Sequence, residues 1–435
     1  MIPSPTLRFE IAFAGLIVLA FLWTNVECGL FLYAFALGFP DVALPLGSTI
    51  NIRVDDVLIA SFLARTILWR PAPLSRLQRH IVFWQGIFLG ICLLSIAVET
   101  ALGSPPEGYD AAKMAGCAVI LFVLPRLLQT ERRMRFFVAG LMCAGVALAI
   151  QIYQHLGANS SYDAANFQQF KSAASFTTWN PNTTGQAAML LAFAAGLGGI
   201  IFSKTPANRI LWPCLAAGFA LLPALVFVRG TSLSLAAAFL LFLSFLRRWK
   251  GMLLFAAACL CAFLYFHSSD SQLVKEAAAV NLTTGEGFSN RYDRWAMAIR
   301  AIQAAPFIGH GFGQALAYLT LIGSEGVAHD AYLTVWLELG MGGLLFFLAA
   351  IFQFVHGGWF LYRDPRFQAH GALILALIFA LGLDSIGLST LYWEKLATIA
   401  LCLAAAVIGL CEKNGVKIPE RAVLAAGCEP SEQYT

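Results

Sequence analysis

The amino-acid sequence predicts an all-α, polytopic integral membrane protein with about twelve transmembrane helices. Of its 435 residues, 59% are hydrophobic and only 12% are charged, whereas soluble domains carry roughly 25% charged residues. Apolar stretches recur along the whole chain, and most are long enough to cross a bilayer, which takes about 20 helical residues. The short segments of alternating polarity that are typical of membrane β-barrels do not occur.

The apolar segments give the order of the predicted spans. They fall at 9–26, 54–69, 81–101, 111–128, 134–156, 184–203, 208–228, 230–246, 250–267, 331–361, 369–388 and 393–411. The first segment follows Arg8 and has no small-residue cleavage site, so we interpret it as a span and not as a removed signal. A further stretch at 28–46 is broken by glycines and prolines, and it is either a short extra span or a re-entrant piece.

The basic residues predict the orientation of these spans. They form clusters at Arg65/Arg70/Arg76/Arg79, Arg126/Arg132/Arg133/Arg135, Lys204/Arg209, Arg247/Arg248/Lys250, Arg363/Arg366 and Lys413/Lys417. Two spans separate each cluster from the next, so all clusters can face the cytoplasm. The chain then divides into an N-terminal transmembrane bundle (1–267), a large outward loop (268–330), C-terminal transmembrane helices (331–411) and a cytoplasmic tail (412–435).

Arginines on the outward side run against this topology, so each needs a reason. Arg291 is predicted on the apolar face of a helix that begins near it, with Arg294 beside that face and Arg300 on the opposite side. An arginine near a helix N-terminus suits phosphate binding, and the alternative is an ion pair with Asp293 or Glu286. Arg229, at an outer hairpin, either ends a helix by snorkelling or contacts an anion.

Other polar residues near the outward loops are candidates for chemistry or for structure. His329 opens the span after the large loop, where an imidazole acts either as a general base or as a capping residue. His310 lies in a glycine-rich sequence that predicts a tight turn after Pro306. Glu338, like Asp384, is an acid inside a span and thus a functional candidate. Asn182 belongs to a turn that either is structural or contacts carbohydrate.

Metal and disulfide chemistry are not indicated by the sequence. Most of the ten cysteines lie in apolar spans, and no CxxC pair occurs. We interpret them as small buried hydrophobic residues. No HExxH or DxD spacing is present, so we expect neither a metal site nor a cofactor.

Four motifs in order carry a resemblance to a known family. They are Arg291-x3-Trp295, PFIGHGFG (306–313), AHDAYL (328–333) and ELGMGGLL (338–345). With these motifs the sequence resembles the bacterial O-antigen ligase and O-antigen polymerase superfamily of integral membrane glycosyltransferases. The sequence NPN at 180–182 and the hairpin at Arg229 are similar to two further landmarks of that superfamily.

The resemblance implies a GT-C-like bundle of the inner membrane, with short helices in a large periplasmic loop and an active site that faces the periplasm. It implies transfer of a glycan from undecaprenyl pyrophosphate, with no nucleic acid involved. Arg291 and His329 would be catalytic, and Arg229, Arg291 and Arg294 would bind the pyrophosphate. Asp330, where the family commonly has asparagine, is expected to orient the imidazole and raise its pKa.

The predicted function is that of an O-antigen ligase with lipid A core as the acceptor. The first alternative is a polymerase that extends the lipid-linked glycan, because the acceptor site has no readable code. The second alternative is a transporter of lipid-linked oligosaccharides, which would favour repeated halves and charged residues along several spans. His310, Glu338 and Asn182 are expected to support the site.

Overall fold

The structure is a computed structural model. It describes residues 24–38, 43–46, 50–69, 73–103, 108–158, 181–202, 205–225, 228–255, 257, 291–324, 328–387, 390–392 and 394–415. Regular structure in these ranges is helical apart from one β-hairpin, which confirms the predicted helical class.

The described residues of the first part of the chain include eight helices and a pair of strands. The elements are α1 (Val26–Ala36), β1 (Ala43–Leu46), β2 (Ile50–Arg53), α2 (Val54–Leu68), α3 (Arg76–Ala101), α4 (Gly108–Leu127), α5 (Glu131–Ala158), α6 (Pro181–Phe202), α7 (Pro206–Leu225) and α8 (Arg229–Phe245). The two strands are antiparallel, and Ala43 lies opposite Arg53.

The described residues of the second part include two shorter helices, which lie in the predicted large loop, and three long helices. These are α9 (Arg291–Ala304), α10 (Ala315–Leu321), α11 (Ala331–Arg363), α12 (Gln368–Gly387) and α13 (Lys395–Lys413). Their bounds lie close to the apolar segments of the sequence, because the length of an apolar run largely sets the length of a membrane helix.

Six of the described helices are long and apolar enough to cross a membrane. They are Arg76–Ala101, Glu131–Ile152, Thr183–Phe202, Ala331–Arg363, Gln368–Gly387 and Lys395–Lys413. The helices Val26–Ala36 and Gly230–Phe245 are apolar but shorter. The predicted spans 9–26 and 250–267 lie largely outside the described residues. The total of about twelve therefore stays a prediction.

The basic helix ends gather at one end of the bundle, here called the basic end. Lys413 Nζ lies 2.5 Å from Gln129 Oε1, next to the start of α5. The Arg366 guanidinium donates a 2.9 Å hydrogen bond to the Gly415 carbonyl, just after α13. The sequence prediction that these clusters share one face therefore agrees with the packing, while the side of the membrane that they face stays a prediction.

The sequence left two alternatives for the stretch at 28–46, a short extra span or a re-entrant piece. The residues that flank this stretch lie at opposite ends of the bundle. Glu27 is 3.9 Å from Arg133 at the basic end. Asp55 and Asp56 instead form ion pairs with Lys395, at the start of α13. The chain therefore passes from the basic end to the opposite end between Glu27 and Asp55, using a short helix and the hairpin.

Helix α11 is sharply bent at Gly340, which has φ 68° and ψ −173°. The rings of Tyr332 and Phe347 lie 6.1 Å apart, although 15 residues of straight helix would span about 22 Å. The predicted continuous span 331–361 is therefore wrong. It consists of a short arm (331–339) and a long arm (341–363), and the long arm alone is long enough to cross a bilayer.

Candidate active site

The bend in α11 is closed by the turn that follows α9. Because φ is positive at Gly340, the N–H of the next residue, Met341, does not make the regular hydrogen bond within the helix. It donates instead to the Pro306 carbonyl at 2.9 Å. The Trp336 indole N–H donates to the same carbonyl at 3.0 Å. A Cβ on Gly340 would lie 2.1 Å from the Phe307 carbonyl oxygen. The PFIGHGFG and ELGMGGLL motifs thus pack directly against each other.

His310 holds this turn in place. Its backbone N–H donates to the Leu337 carbonyl at 2.8 Å, which satisfies an acceptor that the bend leaves free. Its ring Nε2 lies 2.9 Å from the Ala301 carbonyl, and the ring stacks on Tyr318 with 3.7 Å between centroids. The predicted tight turn is confirmed, and these contacts give His310 a structural role next to the site.

Glu338 is buried at the end of the short arm. Its carboxylate accepts hydrogen bonds from the Ala315 N–H at 3.3 Å and from the Tyr392 hydroxyl. Its backbone carbonyl accepts from the Gly311 N–H at 2.9 Å. The carboxylate therefore links the short arm to α10 and to the segment before α13, which is a bracing contact for the neighbouring site.

His329 stands at the tip of the short arm in a strained backbone conformation. Its φ is +52°, a left-handed value that residues with a side chain adopt uncommonly. On one side the Trp295 indole N–H donates to the Ala328 carbonyl at 3.0 Å. On the other, the Asp330 carboxylate caps α11 by accepting from the Leu333 N–H at 2.8 Å. Contacts on both sides thus fix the backbone from which the imidazole projects.

Helix α9 carries the two arginines that face His329. The helix begins at Arg291, as the sequence predicts, and its predicted caps lie outside the described residues. A Cβ on Gly387 would be 2.7 Å from an Nη of Arg291. The Nε of Arg294 is buried and has no hydrogen-bond partner within the described part of the chain. Arg300 is exposed, also as predicted.

The electrostatic field of this cluster acts on the imidazole. Burial lowers the pKa of His329 below its ordinary value, and the positive charges of Arg291 and Arg294 lower it further. Burial likewise lowers the pKa of Arg291 from its very high ordinary value, and an arginine still stays charged in proteins. The cluster therefore combines two cations with an imidazole that favours its neutral form.

The expected effect of Asp330 on His329 is wrong. The sequence predicted that this carboxylate raises the pKa of the imidazole, whereas the structure lowers it. The physical reason is that Asp330 caps α11 through the Leu333 N–H. Burial raises the pKa of Asp330 itself, which weakens any stabilisation that it offers to a charged neighbour.

Asp384 also belongs to this region, although no sequence motif had assigned a specific role to it. It is 2% exposed and accepts hydrogen bonds from the hydroxyls of Thr231 at 2.8 Å and Thr390 at 2.6 Å. It also interacts electrostatically with Arg291. The available signal in the sequence was a carboxylate inside a span, but Thr231 lies 153 residues away in the chain.

The two earlier landmarks converge on Asp384 through their backbones. Arg229 is the first residue of α8, two positions before Thr231. Asn182 lies in the first turn of α6, and three positions later a Cβ on Gly185 would be 2.6 Å from Thr231 Oγ1. The side chains of Arg229 and Asn182 lie outside the described part, so their roles stay predictions.

The cluster lies away from the basic end. Asp384 is 16 residues from the start of α12, and Thr231 is 14 residues from the end of α8. These separations correspond to about 24 Å and 21 Å of helix. The fold and this site together define a multi-pass helical membrane protein with a cationic polar cluster at the end of the bundle opposite the basic end.

The comparison with protein families gives this class a more specific identity. A family model described as O-antigen ligase matches residues 214–348. The match covers about a third of the chain, and it supports the resemblance to the O-antigen ligase and polymerase superfamily seen in the sequence motifs. The match includes Arg229, Arg291 and His329, and it ends before Asp384. The comparison with curated proteins found no match.

Proposed function

We propose that the protein is an O-antigen ligase-type glycosyltransferase that moves a glycan from undecaprenyl pyrophosphate to lipid A core without a metal ion. The observation that carries this proposal is the grouping of Arg291 and Arg294 around His329. In such a group the two cations can bind a pyrophosphate, and the neutral imidazole can accept a proton from a hydroxyl group. The family match at 214–348 supports the reaction class.

The arginines suit the donor's leaving group. The carrier departs as an anionic pyrophosphate, and fixed cations stabilise charge that develops on its oxygens. Arg294 has a buried Nε without a partner among the described residues, so a phosphate oxygen can accept from it. The first amides of α9, next to Arg291, add further donors at a helix N-terminus. Arg229 is proposed as a third cation.

His329 suits the acceptor's hydroxyl group. In the proposed step the hydroxyl oxygen bonds to the anomeric carbon of the glycan while the bond from that carbon to the pyrophosphate breaks. The hydroxyl proton passes to the imidazole, and undecaprenyl pyrophosphate leaves. A base must be neutral to accept this proton, and the lowered pKa of His329 favours that form.

Supporting roles are proposed for four further residues. Asp330, His310 and Glu338 hold the short arm and the turn beside it through the hydrogen bonds described above. Asn182 is proposed to contact the glycan from the start of α6.

The reaction is proposed to take place at the periplasmic face of a bacterial inner membrane. Basic residues favour the cytoplasmic side of a membrane, and in this protein they gather at the end of the bundle opposite the candidate active site.

The decisive experiment is transfer with purified components. The protein is incubated with a glycan on undecaprenyl pyrophosphate and with lipid A core, in the presence of a chelator, and the products are separated by gel and identified by mass spectrometry. We expect glycan on lipid A core, and its loss in Arg291→Ala and His329→Ala. Arg300→Ala is the matched control, because that arginine is exposed on the same helix.

Other outcomes would change the proposal. Longer lipid-linked glycans would identify a polymerase, in which a growing chain is the acceptor. Movement of the carrier across vesicles without transfer would identify a transporter. Full transfer by Arg291→Ala would contradict the proposed site. Loss of transfer after addition of the chelator alone would show that the reaction needs a metal ion.

A further inference from the structure

A cavity of about 120 Å³ lies between α3 and α4, in the half of the bundle next to the basic end. Val82 and Gly86 line it from α3, and Phe122 and Pro125 line it from α4. Pro125 is two residues from the end of α4, and Val82 is six residues from the start of α3. The cavity therefore lies in the membrane leaflet at the basic end, away from the candidate active site.

The cavity is shaped for an apolar chain. Its lining is apolar apart from Gln85, and its inner wall includes Phe354 of α11 and Cys402 of α13. A Cβ on Gly86 would meet no atom within 4 Å, so the glycine leaves a space that no described side chain fills. Helix α3 is also the least buried of the six candidate spans, with 17% of its apolar window buried.

Two arginines stand at the end of this cavity that is nearest the basic end. The guanidinium of Arg126 lies over the ring of Phe122, 4.0 Å from its centroid. Arg79 is exposed, and it shares a face of α3 with Val82 and Gly86 because it precedes them by three and seven residues. Both arginines therefore lie next to lining residues, on the side of the cavity that is nearer the basic end.

We propose that this cleft binds one acyl chain of an anionic phospholipid, with the headgroup at Arg79 and Arg126. Basic pockets between transmembrane helices on the cytoplasmic side suit anionic headgroups, and burial of the acyl chain removes the unfilled space at Gly86. The lipid would hold α3 against α4. Since Ser95 of α3 accepts a hydrogen bond of 2.9 Å from the Phe312 N–H, a held α3 also steadies the turn beside the active site.

Lipid titration of the full-length protein in detergent tests this proposal. Phosphatidylglycerol and phosphatidylcholine with the same chains are compared by native mass spectrometry and by the shift in melting temperature. We expect tighter binding of phosphatidylglycerol, weakened about fivefold by each of Arg79→Gln and Arg126→Gln, since one such charge near the surface contributes about that factor. Arg209→Gln, at the basic end of α7, is the matched control.

A second variant tests the apolar part of the cleft. Gly86→Leu fills the space and is expected to weaken lipid binding at least about tenfold, whereas Gly218→Leu on α7, also with open space around it, is expected to have no effect. If Gly86→Leu does not fold, a photoreactive acyl chain replaces it as the test. Its crosslinks are then expected in peptides of α3 and α4 of the wild-type chain.

Three results would overturn the proposal. These are equal binding of the two phospholipids, unchanged binding by Gly86→Leu, and acyl crosslinks that avoid α3 and α4. A photoreactive residue at position 86 that crosslinks to a second copy, or to another segment of this chain, would assign the cleft to protein and not to lipid.

Discussion

The indole N–H of Trp295 donates a hydrogen bond of 3.0 Å to the carbonyl of Ala328. Trp295 is one helical turn after Arg291, and Ala328 directly precedes His329. One hydrogen bond thus ties the helix that carries the arginines to the backbone that carries the imidazole. This explains why Arg-x3-Trp and AHDAYL occur as a pair of motifs, and it yields a first prediction.

Replacement of Trp295 by phenylalanine is expected to lower kcat for glycan transfer about fivefold. The ring is retained, but one hydrogen bond worth about 1 kcal/mol no longer positions His329. KM for the donor is expected to stay within about twofold. Steady-state kinetics of transfer check this.

Trp359→Phe is the control for that prediction, because Trp359 lies on the long arm of α11 near the basic end, where it contacts Tyr362. An equal decrease of kcat in both variants would show that the Ala328 contact has no special role. A loss of folded protein only in Trp295→Phe, seen as a lower melting temperature, would assign the bond to stability.

Gly387→Ala is expected to displace Arg291 while the protein stays folded. The added Cβ would lie 2.7 Å from the end of a flexible arginine side chain, so the guanidinium must move by a few tenths of an ångström or more. Misplacement of a catalytic group by about 1 Å costs roughly 100-fold, and we expect a loss of about tenfold in kcat/KM. The rate of transfer and the melting temperature are measured together.

Gly218→Ala is the matched control for Gly387→Ala, because a Cβ at position 218 meets no atom within 4 Å. Unchanged kcat/KM in Gly387→Ala would mean that the position of the Arg291 guanidinium does not limit transfer.

The pH dependence of transfer is expected to report the lowered pKa of His329. Its base form persists below the ordinary pKa of 6.5, because burial and the two arginines disfavour the proton. The acid limb of kcat/KM should therefore lie below pH 6.5. Arg294→Gln removes one positive charge, so the pKa of His329 rises and the acid limb moves to higher pH.

Arg300→Gln should leave the acid limb in place, because this arginine is exposed on the other side of α9. A limb above pH 6.5 in the wild type, or no movement in Arg294→Gln, would contradict the assignment of the base to His329.

Gly340→Ala is expected to destabilise the protein by about 3 kcal/mol or more. Its φ of 68° with ψ of −173° is a region that essentially only glycine adopts. The new Cβ would also meet the backbone oxygen of Phe307 at 2.1 Å. Thermal unfolding in detergent measures the effect.

Gly342→Ala, two residues on and with open space around it, should be neutral or slightly stabilising, since alanine favours a helix over glycine by about 1 kcal/mol. Similar melting temperatures for the two alanine variants would argue against a fixed bend at position 340.

Local features of the site were predictable from the sequence. Arg291 lies on the helix predicted for it, and Arg300 faces away from the cluster, because helical periodicity decides which residues share a face. The role of Asp330 was misjudged because two interactions competed for one carboxylate, and the nearby Leu333 amide of the α11 N-terminus prevailed.

The remote partners could not be predicted. Asp384 receives hydrogen bonds from Thr231, which is 153 residues away in the chain, and from Thr390, which lies beyond the end of α12. Neither threonine belongs to a recognisable motif. The sharp bend of α11 is similar, because hydropathy alone favours one long span from 331 to 361.

The sequence by itself determined the helical membrane class, the approximate bounds of most described helices, the common end of the basic residues and the resemblance of the central segment to a known family. These follow from apolar length, from charge position and from local motifs, each of which is written within a few residues. Only the tertiary structure decided that His329 faces two arginines, that Asp384 joins three helices, and that a cleft separates α3 from α4. Those properties depend on which segments pack against each other although they are distant in the sequence. Local conformational preferences of the residues do not determine that packing.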